Sequence, residues 1–69
     1  MKISARNTLA GTVKLIKKGA VNSEVVITLA GGAEVVSVVT NESVDNLALK
    51  VGGKAYAVIK ASSVMLAVD

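Results

Sequence analysis

Hydrophobic and polar residues alternate along most of this chain, and the alternation predicts a series of short β-strands. From residue 9 to residue 18 the odd positions form one face and the even positions form the other, which is typical of a half-buried strand. The same alternation returns in two runs joined by Ala30-Gly31-Gly32, and a glycine-rich turn between such runs predicts a hairpin. The five predicted strands cover residues 9–18, 21–29, 33–40, 54–60 and 64–68.

Both faces of the predicted third strand carry valine. Val35 and Val39 lie on one face, whereas Val36 and Val38 lie on the other. The chain has 69 residues, of which thirteen are Val and none is Phe or Trp, so it is too small to cover both faces by itself. We therefore expect a homo-oligomer, because association of subunits would bury the second face.

A single helical turn is predicted directly after the third strand. Thr40 can cap this turn, and the acidic Glu42 suits its first positions. Val44 and Leu47 are three residues apart, so both would pack against the core. Five short strands with a helical turn after the third are compatible with a barrel of the oligonucleotide/oligosaccharide-binding (OB) type. We therefore expect an all-β fold, with one domain over residues 1–69 built as a small five-stranded OB-like barrel.

The absence of Cys and His excludes disulfides and the usual zinc sites. Catalysis would then depend on Lys, Tyr or isolated carboxylates, and no two of these are suggestively spaced. We therefore expect a protein that is not an enzyme and holds no cofactor. No apolar run approaches the roughly 18 residues of a membrane span, and Ser4, Arg6 and Asn7 interrupt the region where a signal peptide would be apolar. We expect a soluble, cytoplasmic protein.

Three short clusters of hydrogen-bond donors stand out from the aliphatic background and favour a site for an oxyanion. Arg and Lys supply positive charge, while hydroxyls, an amide and backbone N–H groups can surround a tetrahedral anion without presenting an acceptor. The net charge of +3 favours anionic partners in general. The clusters are Ser4-Ala5-Arg6-Asn7, Thr40 with Ser43, and Lys60-Ala61-Ser62.

Each cluster also has an ordinary structural interpretation. Residues 4–7 could be a solvated polar amino terminus, Thr40 could merely cap a helix, and Lys60 could discourage aggregation at a strand edge. Lys17 and Lys18, next to a glycine, are more typical of a solvated turn than of a second anion site. No cluster identifies a site alone, and their joint occurrence is what favours the functional interpretation.

In this order and within a chain of this length, the three clusters resemble the molbindin (Mop) family, and the resemblance covers essentially the whole chain. In this family, similar domains occur at the carboxyl end of the molybdate-responsive transcription regulator and of the ATPase subunit of the molybdate importer. Here nothing is left over for a DNA-binding or nucleotide-binding domain. We therefore expect the free-standing form.

The resemblance implies a hexamer built as a trimer of dimers, with molybdate or tungstate bound at subunit interfaces. A second kind of site near the threefold axis is implied as well, for which the loop of residues 18–22 is a guess. The interfacial site falls on the residues that match the motif, with Ala5 and Ala61 contributing backbone groups: Ser4, Ala5, Arg6, Asn7, Thr40, Ser43, Lys60, Ala61 and Ser62.

The donor set suits molybdate on chemical grounds. Molybdate carries no proton near neutral pH, so donors alone can satisfy its four oxygens, whereas hydrogen phosphate would require an acceptor for its O–H. Sulfate is also unprotonated and would be excluded only by the size of the cavity. Arg6 and Lys60 would balance the two charges of the dianion.

The leading hypothesis is a cytoplasmic binding protein that stores or buffers molybdate or tungstate. An OB-type module for single-stranded nucleic acid is the alternative, because OB barrels often have this role and the net charge is positive. However, Tyr56 is the only aromatic residue, so no stacking platform exists and we expect no nucleic-acid partner. Because no apolar run is long enough to span a bilayer, we expect no membrane partner either. A purely structural assembly subunit is a further possibility.

Overall fold

The protein folds into one antiparallel β-sheet. The computed structural model describes all residues, Met1 to Asp69. The strands are β1 (Asn7–Lys18), β2 (Asn22–Leu29), β3 (Glu34–Thr40) and β4 (Lys54–Ile59). They lie in the order β3-β2-β1-β4. A six-residue helix, α1 (Asn41–Asn46), follows β3, and a 3₁₀ turn (Ala61–Ser63) follows β4. Neither helical segment has the length and hydropathy that crossing a membrane requires.

The alternation of faces predicted for the third and fourth strands is confirmed. In β3 the side chains of Val35 and Val39 turn towards the core, while Val36 and Val38 are exposed on the opposite face. In β4 every second residue is likewise partly buried. The hairpin between β2 and β3 is also confirmed, with Thr28 opposite Glu34 next to the turn. One sheet therefore has one face on a small core and one face in solvent.

A β-bulge at Lys14 divides β1 into two halves. Val13 lies opposite Ile27, but the next paired residue, Leu15, lies opposite Val26, so Lys14 has no partner in β2. Because the bulge inserts one residue, the inward face passes from odd to even positions, and Ile16 instead of Leu15 packs against the core. The prediction that Leu15 shares the face of Val13 was therefore wrong.

The core is small. Only five of the 69 residues are buried, four of them hydrophobic, and Val13 at 1% exposure is at the centre. Val44 of α1 packs against this cluster as predicted, but Leu47 is 66% exposed, and Leu49 takes the expected place in the core. Leu47 is the C-cap of α1, where the chain leaves the helix, and its side chain stays outside the core. So few buried residues offer little stabilisation to a single chain.

The predicted fifth strand at residues 64–68 does not form. The backbone leaves β4 through the 3₁₀ turn, in which the N–H groups of Ser63 and Val64 donate to the carbonyls of Lys60 and Ala61. Beyond the turn the chain pairs with no strand, and Leu66 is 94% exposed. A single chain is therefore a four-stranded sheet open between β3 and β4, and not the closed five-stranded barrel that was expected.

Candidate functional site

The antiparallel pairing of β1 with β4 brings two of the three donor clusters together. Asn7, the first residue of β1, lies opposite Ile59, the last residue of β4. The residues that precede β1 and those that follow β4 must therefore meet at one end of the sheet. They line a cleft of about 460 Å³, which is formed by Ile3, Ser4, Ala5, Arg6, Lys60, Ala61 and Ser62.

This cleft is positive and open to solvent. Arg6 and Lys60 carry its charge, and no carboxylate lines it. The only salt bridge of the chain joins Lys14 to Glu34 elsewhere on the sheet, so neither cation of the cleft is neutralised. Of the seven lining residues only Ala5 is partly buried. The cleft can thus attract an anion, but in a single chain it leaves that anion largely in water.

Backbone geometry adds donors on one side of the cleft. The chain turns immediately after Lys60, at the start of the 3₁₀ turn. The first N–H groups of such a turn have no partner within it, so those of Ala61 and Ser62 are available to a ligand. Ala61 carries only a methyl side chain and allows close approach to its backbone. The cleft therefore combines two cationic side chains, hydroxyls of Ser4 and Ser62, and backbone donors.

Asn7 does not line the cleft with the rest of its cluster. Its side-chain Nδ2 donates to the carbonyl of Ile59 across the strand pair, at 3.3 Å. The amide thereby links the two strands whose ends carry the cleft, and its donor is engaged within the protein. The structure thus places Asn7 beside the cleft as a bridge between β1 and β4.

Thr40 and Ser43 lie near the opposite end of β1. The predicted cap is confirmed, since Thr40 Oγ1 accepts a hydrogen bond from the Ser43 N–H at 3.0 Å and donates one to Ser43 Oγ at 2.8 Å. Thr40 pairs with Asn22, next to the β2 end that faces Lys18. Because β1 has 12 residues, its ends are roughly 35 Å apart along the strand. One chain therefore cannot bring all three clusters to one anion.

Two residues that the sequence analysis did not single out, Ser23 and Asn41, are joined beside Thr40. Ser23 is buried on the inner face of β2 and donates from its hydroxyl to Asn41 Oδ1. The available signal was a serine among the valines of a buried face, because a buried hydroxyl requires a partner. No three His, Cys, Asp or Glu side chains come together as a group that could hold a metal ion.

A second concave surface, an apolar groove, lies between β3 and β4. Its volume is about 740 Å³, and 12 of its 14 lining residues are hydrophobic. They come mainly from β3 and β4, with Met1, Leu47 and Leu49 at the margins. This groove is the gap left where the sheet fails to close.

Comparison with known proteins shows similarity along almost the whole chain. A TOBE domain model matches residues 3–66. The chain is 51% identical over 69 residues, the full length of both, to a probable molybdenum-pterin-binding protein of Haemophilus influenzae. It is 52% identical over 67 residues to the molybdenum transport protein ModE of Herbaspirillum seropedicae, of which it spans 25%. The solved structure of the cytoplasmic molybdate-binding protein ModG with molybdate bound is 57% identical, with a TM-score of 0.86 over 88% of this chain and 43% of that one. Residues 3–66, which the TOBE domain model matches, include both sides of the cleft.

Proposed function

Since the chain belongs to the TOBE domain family, among its molbindin (Mop) members, we propose that it is a binding protein for the molybdate oxyanion. The observation that carries the proposal is the cleft in which Arg6 and Lys60 meet without any carboxylate. The relatives named above are described as binding or transport proteins, which supports binding without catalysis. We propose that residues 1–69 act as one domain with this activity.

The composition of the cleft favours a fully deprotonated dianion. Arg6 can offer two parallel N–H donors, and Lys60 adds a mobile point charge. The hydroxyls of Ser4 and Ser62 can also donate. No carboxylate lines the cleft, so the O–H of hydrogen phosphate would find no charged acceptor there and could use a serine hydroxyl only at the expense of a donor to the anion. The same reasoning applies to tungstate, which we include in the proposed ligand class.

We propose that Thr40 and Ser43 of a second copy complete each site. A tetrahedral oxyanion with four water-sized oxygens occupies on the order of 100 Å³ at about 30 Å³ each, far less than the cleft offers. A partner surface that covers the cleft would remove this excess space and exclude water. The hydroxyls of Thr40 and Ser43 are exposed or half-buried at the start of a short helix, and they lie too far from Arg6 to serve the same chain's site.

The carboxyl-terminal segment supports subunit association. Met65, Leu66 and Val68 are each more than 90% exposed, and contiguous exposed apolar groups mark an interaction surface. The open apolar groove between β3 and β4 is the complementary feature. We propose that the segment from Val64 to Asp69 packs on the sheet of another copy, within a hexamer built as a trimer of dimers.

Titration calorimetry with molybdate, sulfate and phosphate tests the ligand. We expect molybdate to bind most tightly and phosphate least, because only phosphate brings its own proton. Equal heats and affinities for all three anions would contradict the proposal. Metal analysis of the purified protein would show which metal it carries and how much of it. The mass in solution would show how many subunits assemble.

Deletion of residues 64–69 tests the assembly. The shortened chain keeps all four strands and the whole lining of the cleft, so we expect its mass in solution to fall and its molybdate affinity to fall with it. Removal of Asp69 alone is the control, since it leaves every apolar residue of the segment in place. A shortened chain with the same mass as the intact one would refute the role of this segment. A cytoplasmic role in storage or homeostasis follows from the proposal and is testable by cellular molybdenum content in a strain that lacks the protein.

A further inference from the structure

Asn41, the first residue of α1, makes three hydrogen bonds to the β1–β2 turn and to β2. Its backbone N–H donates to the carbonyl of Val21 at 2.8 Å, and its side-chain Nδ2 donates to the carbonyl of Gly19 at 2.9 Å. Its Oδ1 accepts from the hydroxyl of Ser23 at 2.5 Å. One residue thus ties the start of the helix to the β1–β2 turn and to the inner face of β2.

Ser23 is the buried end of this network. At 2% exposure it is the only buried polar residue of the chain, and its neighbour on the same face is the core residue Val25. A buried hydroxyl without a partner is costly, and Asn41 supplies the only side-chain acceptor it has. The amide of Asn41 is consequently held from two sides, by a donor in the core and by an acceptor in the turn.

In sequence, Asn41 lies between the two residues of the second donor cluster. Thr40 precedes Asn41, and Ser43 follows it by two positions on the same short helix. A helix of six residues is not stable by itself, so its direction depends on external contacts. The hydrogen bonds between Thr40 and Ser43 fix these hydroxyls relative to each other. Thr40 is also held in the sheet by its pairing with Asn22, whereas the hydrogen bonds of Asn41 tie the first turn of α1, which carries Ser43, to the β1–β2 turn and to β2.

We propose that Asn41 is a positioning residue for the oxyanion site, and that Ser23 and Asn41 act as one unit that holds the hydroxyls of Thr40 and Ser43 in binding geometry. The inference rests on the proposed function, in which these hydroxyls complete the site of a neighbouring copy. Asn41 does not touch the anion in this scheme. It acts through the orientation of α1.

Molybdate and sulfate titrations of Asn41→Ala, Ser23→Ala and the double variant test the inference on the assembled protein. Asn46→Ala is the matched control, because it removes the same amide from the last turn of the same helix, where no side-chain hydrogen bond is made. We expect Asn41→Ala to weaken molybdate binding at least tenfold and Asn46→Ala to change it less than twofold. We expect the double variant to lose no more than the worse single variant, because coupled residues are not additive.

The ratio of molybdate to sulfate affinity separates positioning from general damage. A loss of folded or assembled protein lowers both affinities by one factor and leaves the ratio unchanged, whereas misplaced hydroxyls lower the ratio. If Asn41→Ala fails to fold, the affinities of Ser23→Ala test the inference instead. This variant removes only a small buried hydroxyl, and water can reach the acceptor that it leaves at the half-buried Asn41. A folded variant with unchanged affinity and ratio would overturn the inference. Failure of the wild-type protein to prefer molybdate would instead refute the proposed function.

Discussion

Replacement of Arg6 by Ala probes the cleft most directly. Arg6 is exposed and has no carboxylate partner in its own chain, so the substitution breaks no structural salt bridge. It leaves Lys60 as the only formal charge that faces the anion. The fold should therefore be preserved, and the loss should appear in binding.

The size of the loss depends on whether a second copy covers the cleft. If Arg6 met the anion in open water, the contact would resemble an exposed ion pair worth about 0.2–1 kcal/mol. If a partner excludes water, two parallel charge-assisted hydrogen bonds should contribute on the order of 2 kcal/mol or more. At 1.4 kcal/mol for each factor of ten, that corresponds to a roughly thirtyfold increase in Kd. Because the anion is proposed to bind at an interface, we expect the larger value.

Isothermal titration with molybdate at constant ionic strength measures this change. Lys50→Ala is the control, because it also removes one positive charge from an exposed position but lies outside the cleft. Arg6→Lys keeps the charge and loses the forked geometry, so it should fall between wild type and Arg6→Ala. A Kd for Arg6→Ala no weaker than that of Lys50→Ala would remove Arg6 from the site.

Three further predictions concern the core, the sheet and the rejected partner. Val13→Ala removes two methyl groups from the most buried position and should lower the free energy of unfolding by about 2 kcal/mol, as measured by denaturant titration. The same change at Val21, which is exposed in a turn, should cost less than about 0.5 kcal/mol, and similar losses at both sites would contradict the assigned core. Gly11→Ala would place a Cβ 2.8 Å from the carbonyl oxygen of Thr28. The free energy of unfolding should therefore fall by roughly 1–3 kcal/mol, and Tm should fall with it. A Tm unchanged from wild type would contradict this prediction, because β1 and β2 would then be able to move apart and admit the methyl group. A gel-shift assay with short single-stranded oligonucleotides should detect no binding at physiological salt, because Tyr56 is the only aromatic residue available for stacking, and a retarded band would revive that alternative.

The strands and their faces were largely predictable because alternation is a local property. Val36 and Val38 point outwards as their positions indicate, and Thr40 caps the helix as its residue type favours. The bulge could not be predicted in the same way. Lys14 occupies a polar position, and the adjacent apolar residues Leu15 and Ile16 do not by themselves indicate which of them faces the core. Only the lack of a partner for Lys14 in β2 shows that the register shifts there.

The candidate site was predictable by composition but not by position. Donor types mark each cluster in the sequence, whereas their proximity depends on which strands pair. The register of β1 with β4 joins the first and third clusters, whereas the pairing of β2 with β1 and β3 leaves Thr40 at the other end of the sheet. The final segment gave the converse error, since its run of apolar residues favours a strand, but within one chain it pairs with neither open edge of the sheet.

The pairing of β1 with β4 also determines when the cleft can form. Asn7 and Ile59 are 52 residues apart in sequence. By contrast, the β1–β2 and β2–β3 hairpins join strands that are neighbours along the chain. Since closing a long loop costs entropy before any distant contact can form, we expect the hairpins to form first and β4 to dock last. An anion held by both strand ends can bind only the chain in which docking is complete. The supply of oxyanion would therefore influence how much newly made protein remains folded, because the ligand stabilises the finished fold and no earlier form.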